Sequence, residues 1–312
     1  MRYDCLLIDV LNVAHRYFNH EKEKPEFVSK KQVFKQAVCN FINKVEQLEK
    51  EFLHTTGDVY LLFDNPTSRA DLQSSFYYAD RKDAYDRYKK DRAKQPKEFY
   101  NSVNLLKYYY MVSDKRYHVV QIPRLEADDL VEPILRNCCE HKTALLMTND
   151  LDWVRYLSDS VDWIPNGKTP EKASDLSEKL GFPVTQTNII AYKALFGDPS
   201  DNIPSIVPPR YHEAFSVFVR ELRDADDLLF IHTKEDILDK YPLLQYVSKN
   251  TNQLRINLQL VRAIPVKDIH LQRVIVEGRN SQVSRKAVRQ AIGLDDENNG
   301  EFVFGNIRRP RV

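Results

Sequence analysis

Cys5-Leu6-Leu7-Ile8-Asp9 is a short apolar run closed by a carboxylate. Its length suits a buried strand, with the acid delivered at the C-terminal end. Val59-Tyr60-Leu61-Leu62-Phe63-Asp64 repeats the pattern. Between the two, Val33, Phe34, Ala37, Val38, Phe41, Ile42, Val45 and Leu48 recur at spacings of three and four. That periodicity predicts a long helix within Lys31 to Phe52. Strand, helix and strand in this order make a parallel βαβ unit. The fold expected is therefore α/β, a mostly parallel central sheet flanked by helices.

The same grammar continues down the chain. Tyr117-His118-Val119-Val120-Gln121-Ile122 is a third strand, leading into Leu125-Glu126-Ala127-Asp128-Asp129-Leu130-Val131. A helix N-terminus favours some negative charge, but three clustered acids exceed what capping needs. Thr143 to Thr148 is a fourth strand and runs into Asn149-Asp150-Leu151-Asp152-Trp153. Val161-Asp162-Trp163-Ile164 fits a fifth strand at the edge. Beyond Gly181 the pattern turns helical, over Thr185 to Phe196, Tyr211 to Lys240 and Tyr241 to Val261. Leu254, Ile256, Leu258 and Leu260 fit a short strand or a helix end. Gly197-Asp198-Pro199-Ser200-Asp201-Asn202-Ile203-Pro204 sets two more acids in a run of turn formers.

The 312 residues, 42% hydrophobic and 29% charged, suit one large domain or two smaller ones. No apolar run approaches the ~18 residues a membrane helix needs, and the start is too short in apolar residues for a signal peptide. Cys5, Cys39, Cys138 and Cys139 show no CxxC spacing and read as reduced thiols of a cytosolic protein. The net charge of +1 predicts no polyanion partner, but its distribution is uneven. From Arg81 to Lys97 eight basic residues face only Asp83, Asp86 and Asp91, with Tyr77, Tyr78, Tyr85, Tyr88 and Tyr100 nearby. Cations with interleaved aromatic rings suit a phosphate backbone and stacked bases. A solvated helix face is the plainer explanation of such a run.

In an open parallel sheet, ligands bind at the C-terminal strand ends. Asp9, Asp64, Glu126, Asp128, Asp129, Asp150 and Asp152 all follow predicted strands, so the fold should gather them at one edge. Taken singly, Asp9 reads equally as a helix N-cap, and His15 as a packed or surface residue. Together, so many carboxylates repel one another unless hard cations such as Mg²⁺ or Mn²⁺ intervene. The lack of a Cys/His cluster argues against zinc. Two such ions roughly 4 Å apart activate a water and stabilise the leaving oxygen of a phosphodiester. The acids then act as ligands rather than as general acids.

Leu7-Ile8-Asp9, Leu62-Phe63-Asp64, Glu126-Ala127-Asp128-Asp129, Thr148-Asn149-Asp150-Leu151-Asp152 and Gly197 to Pro204 together resemble the 5′-nuclease (flap endonuclease, PIN-like) superfamily. The resemblance implies one metal site nearer Asp9, Asp64, Glu126 and Asp128. It implies a second nearer Asp129, Asp150, Asp152 and Asp201, with Asp198 in an outer position. Tyr88-Lys89-Lys90-Asp91-Arg92 resembles a Tyr-Lys-x-x-Arg segment of the family's helical arch. By that match Lys89 and Arg92 steady the scissile phosphate electrostatically and Tyr88 stacks a base; Asp150 and Asp201 count as catalytic through the metal ions they hold, and Arg16 and Lys90 join the nucleic-acid contacts. Residues 1–180 would be the metal-binding core, with the arch at about 70–110, and 181–312 a mainly helical DNA-binding region completing the site. The family's Gly-rich helix-hairpin-helix is replaced by Ser205-Ile206-Val207-Pro208-Pro209-Arg210-Tyr211. A K⁺ site and duplex binding through that element lack their usual glycines here.

The activity expected is a Mg²⁺- or Mn²⁺-dependent 5′→3′ exonuclease and flap endonuclease using two ions. Its substrates would be 5′ flaps and 5′ ends of DNA, with RNA–DNA hybrids in primer removal. A monomer in the cytoplasm is expected, that of the bacterial host if the chain is phage-encoded. The alternatives are a PIN-like ribonuclease and a non-catalytic binder of branched DNA.

Overall fold

The computed structural model describes residues 2–22, 30–64, 95–113, 115–122, 125–231 and 235–263. Its first strand, β1 (Tyr3–Asp9), is buried at every position but Asp4. That follows from its place in the sheet, where both faces are covered and no polar alternation is needed. Helices α1 (Val10–Lys22) and α2 (Lys30–Phe52) lead to β2 (Leu53–Leu62). Helix α3 (Lys97–Met111) precedes β3 (Tyr117–Val120). Helix α4 (Ala127–Asn137) precedes β4 (Ala144–Met147), and β5 (Val161–Trp163) forms the far edge.

All neighbouring strands pair in parallel, in the order β3-β2-β1-β4-β5. The chain winds outward from β1 in one direction and then from β4 in the other. The crevice at such a reversal is where open α/β sheets bind ligands. Ile8 pairs with Leu61 and with Met147, so Asp9, the Phe63-Asp64 end and the Thr148–Asp152 loop leave the sheet at one level.

Side chains of β1 alternate between two cores. Leu6 and Ile8 join the stripe of α2, with Phe41, Ile42 and Val45, and the buried face of α3. Cys5 and Leu7 join α4 and the C-terminal helices on the other face. Lys97–Met111, counted above with the arch, belongs to the first core: Phe99, Leu105, Leu106, Tyr109 and Tyr110 are buried. Tyr88, Lys89, Lys90 and Arg92 lie outside the described residues.

After β5 come α5 (Ala173–Leu180), α6 (Gln186–Phe196) and α7 (His212–Phe218). The two long helices expected over 211–261 are broken into shorter pieces. Asp224 caps a new turn, accepting the N–H of Asp226 at 2.8 Å. Past α8 (Leu228–Ile231) and α9 (Glu235–Lys240), Pro242 precedes α10 (Leu244–Lys249) and α11 (Thr251–Val261). Proline has no N–H to continue a helix. Leu254 to Leu260 is helical, burying Leu254, Leu258 and Val261 together rather than alternating as a strand would. The four cysteines are free. Among the described residues no helix is long and apolar enough to cross a membrane.

Candidate metal centre

Asp9 ends β1 and is 6% exposed. Its Oδ1 accepts the N–H of Asn12 at 3.1 Å, which also starts α1. Its Oδ2 accepts the hydroxyl of Thr148 at 3.1 Å, and that oxygen in turn accepts the Asp150 N–H at 3.0 Å. Asn12 Oδ1 takes the Asn149 N–H at 3.0 Å, so the ends of β1 and β4 are stitched together by side chains. Trp163 steadies the same loop from below, donating its indole N–H to the Thr148 carbonyl at 2.7 Å. Burial, then the nearby charge of Asp64, pushes the Asp9 carboxyl up to about 8. The Asn12 and Thr148 hydrogen bonds oppose this, and Asp150 adds to it.

Asp64 reaches the next element: its Oδ1 accepts the Ala127 N–H at 2.7 Å, in the first turn of α4. Glu126 is the N-cap of that helix. Asp129, fully buried, turns its Oδ2 back to accept the Glu126 N–H at 3.1 Å. Asp128 faces the other way and takes the indole N–H of Trp153 on Oδ1 at 2.6 Å. Asp150 caps the short turn Leu151–Tyr156 by accepting the Asp152 N–H at 2.9 Å. That bond brings the two carboxylates of the pair close. Burial first, then Asp152, raises the Asp150 pKa, against the pull of Lys193.

The remaining acids arrive on the loop after α6. Gly197 has φ +77°, and a Cβ there would meet the Ile203 carbonyl at 2.5 Å, so only glycine allows the loop to close this tightly. Asn202 adopts φ +60°, tolerated by asparagine. Asn257, fully buried on α11, pins the loop by donating to the carbonyls of Ala194 and Pro204, each at 2.8 Å.

Two carboxylate groups result, each with oxygens within 4.8 Å of one another: Asp128, Asp150 and Asp152, and Asp152, Asp198 and Asp201. Asp152 belongs to both. The ammonium of Lys193 pairs with Asp152 and, at 2.8 Å, with Asp198. Burial opposes its charge, but Asp152, Asp198 and Asp150 outweigh that and hold its pKa above the ordinary value. Asp198 also accepts the Ser200 N–H at 2.9 Å and hydroxyl at 2.6 Å. Both its oxygens are thus engaged by the chain.

The structure therefore brings Asp128, Asp150, Asp152, Asp198 and Asp201 together. Asp9 and Asp64 adjoin them, close enough that Asp9 feels both Asp64 and Asp150. Glu126 and Asp129 stand in neither group; they form the capping box of α4. Arg16 stands half-exposed on α1. Lys193, Thr148 and Trp153 escaped the sequence reading. The signal for Lys193 was a lone cation amid Ile189, Ile190, Ala191, Ala194 and Leu195 on a buried helix. An all-oxygen donor set, in which the charges of Asp152 and Asp201 help raise the Asp150 pKa, fits hard divalent cations.

The model of the "5′-3′ exonuclease, N-terminal resolvase-like domain" family matches residues 4–181. DNA polymerase I of Thermus thermophilus is 28% identical over 203 residues, 64% of this chain and 23% of the polymerase. DNA polymerase I of Thermus filiformis is 31% identical over 127 residues, 40% of this chain and 15% of the polymerase. The chain thus spans less than a quarter of these relatives' length. Among solved structures, the T5 D15 protein co-crystallised with metal ions superposes with TM-score 0.63 at 17% identity, covering 92% of this chain and 98% of that one. The T5 5′-exonuclease with bound divalent zinc gives TM-score 0.63 at 18% identity over the same shares. At these identities the likeness establishes the shared fold.

Proposed function

Because the chain belongs to the 5′-3′ exonuclease family, through that family's N-terminal resolvase-like domain, we propose that it hydrolyses DNA phosphodiesters at 5′ ends and 5′ flaps with two divalent cations, Mg²⁺ or Mn²⁺. The observation that carries this is the pair of carboxylate groups joined by Asp152. Asp128, Asp150 and Asp152 would hold one ion, and Asp152, Asp201 and, farther out, Asp198 the other. Asp9, Asp64, Glu126 and Asp129 complete the negative field around them. When bound, the ions supply charge for the scissile phosphate and acidify a water.

The chain's own residues set the stage for that chemistry. Thr148, Asn12 and Trp163 fix the loop that presents Asp150. Lys193 balances the negative charge of Asp152 and Asp198. Residues 1–180 form the core of the site, and the 181–312 region completes it by contributing Lys193, Asp198 and Asp201. Lys89 and Arg92 would meet the scissile phosphate as fixed positive charges, while Tyr88 and Lys90 hold the adjoining strand.

The test is a gel assay of 5′-labelled flap DNA, blunt duplex, RNA–DNA hybrid and single-stranded RNA, with Mg²⁺ and with EDTA. Mg²⁺-dependent release of short 5′ products from the flap supports the proposal. Cleavage of the single-stranded RNA alone replaces it with a ribonuclease of the same fold. Cutting that persists in EDTA overturns the role given to the acids.

A further inference from the structure

Three cations far apart in sequence meet on the α1–α2 side of the crevice. Lys44 of α2 lays its side chain over Gly167: a Cβ on that glycine would stand 2.6 Å from Lys44 Cε and 3.6 Å from Nζ. Gly167 can accept this because it has no Cβ and adopts φ +61°. Lys168, exposed, is the next residue. Arg16 approaches from α1. Burial first, and the charges of Arg16 and Lys168 after it, lower the pKa of the Lys44 ammonium, with Glu51 opposing. Like charges are therefore held close enough to repel. Among the described residues none of the three is ion-paired; the hydrogen bond of Lys44 goes to the neutral Gln47 at 3.1 Å.

The place is as telling as the charge. The same Gly167 position lies 3.2 Å from the methyl of Met147, the last residue of β4, directly before Thr148-Asn149-Asp150. Arg16 follows Asp9 by seven residues, roughly 10 Å along a helix at about 1.5 Å per residue. The cations thus flank the acids on the side opposite α6, which packs in the other core. They stand on helices and a tight turn, not on stacking rings: Tyr17, beside Arg16, is packed edge-on against Phe41. Single-strand sites combine cations with aromatic platforms, whereas a duplex backbone needs charge alone.

We propose that Arg16, Lys44 and Lys168 form a phosphate-binding patch for the duplex part of the DNA substrate, beside the bond to be cut. This rests on the nuclease reading above and names how that site holds its substrate without the glycine-rich hairpin. The repulsion among the three cations is relieved when successive phosphates lie across them.

The experiment compares the full chain with Lys44→Gln/Lys168→Gln, Lys44→Arg/Lys168→Arg and Lys115→Gln. Lys115 is an exposed lysine just before β3, at the opposite end of the sheet. Affinity for a 5′-flap duplex and for a single strand is measured against salt in Ca²⁺, and cleavage in Mg²⁺. The double Gln variant should bind the flap duplex about tenfold or more weakly, with the salt slope reduced by about two, near one per lost phosphate contact. Its single-strand affinity and its turnover at saturating DNA should stay as in the parent. The double Arg variant, which keeps the charge, should restore duplex affinity, and Lys115→Gln should match the parent.

An unchanged duplex affinity and slope in the double Gln variant overturns the patch alone. So does an equal loss with Lys115→Gln or with the single strand, or failure of the Arg variant to rescue. If the parent neither binds nor cuts flap DNA, the nuclease reading falls and the patch with it.

Discussion

Trp153 donates its indole N–H to Oδ1 of Asp128 at 2.6 Å, from a ring with no exposed surface. A core side chain thus aims one of the acids. Phenylalanine keeps most of the ring but has no donor. A hydrogen bond to a charged group contributes about 1.5–3 kcal/mol. Trp153→Phe should therefore raise the Mg²⁺ concentration for half-maximal cleavage several-fold, with a smaller change in turnover at saturating Mg²⁺. A Mg²⁺ titration superimposable on the parent's would show that Asp128 does not depend on this donor.

Asp150 and Asp201 represent the two carboxylate groups, one on the β4 loop and one after α6. Asparagine preserves shape and removes the charge. Asp150→Asn and Asp201→Asn should each abolish cleavage and leave DNA binding within a few-fold of the parent. Binding by gel shift and cleavage in Mg²⁺ check this. Full activity of both variants would remove these residues from the reaction.

The sheet was legible because its strands are short apolar runs that end in acids, as Cys5 to Asp9 and Val59 to Asp64 show. The approach of Asp150 and Asp152 to Asp9 and Asp64 was legible in the same way, since parallel strands deliver their ends to one edge, whereas Asp198 and Asp201, on the loop after a helix, were placed there only by the resemblance. What a side chain does on arrival was not. Asp128 and Asp129 are neighbours, yet one faces the crevice and the other caps its own helix. Only the helical turn between them decides that. Lys193 meets Asp152 across forty-one positions of sequence, and Asn257 reaches Pro204 from another helix. Such partners have no local signature. The core packing of Lys97–Met111 was written in Phe99, Leu105, Leu106 and Tyr110, but the basic run before it drew the eye to charge.

Lys193 is a buried cation between two acids, and its removal leaves Asp152 and Asp198 facing each other uncompensated. Breaking a buried pair by deleting one partner costs about 3–5 kcal/mol. Lys193→Met, similar in volume, should lower the stability of the metal-free protein by that order. Mg²⁺ should restore more stability to the variant than to the parent, because an ion can take over the lost positive charge. Thermal or urea unfolding in EDTA and in Mg²⁺ measures both. Equal Mg²⁺ effects on the two proteins would show that Lys193 and the ion do not share the same acids.

Asn257 fills both of its amide donors with carbonyls on either side of the Asp198–Asp201 loop. Alanine would leave those carbonyls buried without partners, at about 1–3 kcal/mol. Asn257→Ala should be destabilised by that amount. It should also weaken Mg²⁺-dependent cleavage, although the residue belongs to neither carboxylate group. Unchanged cleavage at a temperature where the variant is folded would mean that the loop keeps its shape without this anchor.

Asp9 gives the metal-free protein a pH dependence of definite sign. Burial and Asp64 push its carboxyl up to about 8 in the folded chain, against about 3.9 in an unfolded one. Between these values the folded state holds a proton that the unfolded state lacks. The contribution of Asp9 to stability is therefore full below about pH 4 and is lost as pH rises toward 8. His15, whose pKa burial lowers, acts in the opposite sense below about 6.5, so the comparison that isolates Asp9 is with Asp9→Asn. In EDTA the parent should lose stability relative to Asp9→Asn as pH climbs from 5 to 8, and the variant should be the more stable at pH 8. Mg²⁺ should flatten the parent's decline, because the ion replaces the proton among the acids. Parallel stability curves for the two proteins in EDTA would mean that Asp9 is already ionised in the folded chain and that its neighbours do not repel it.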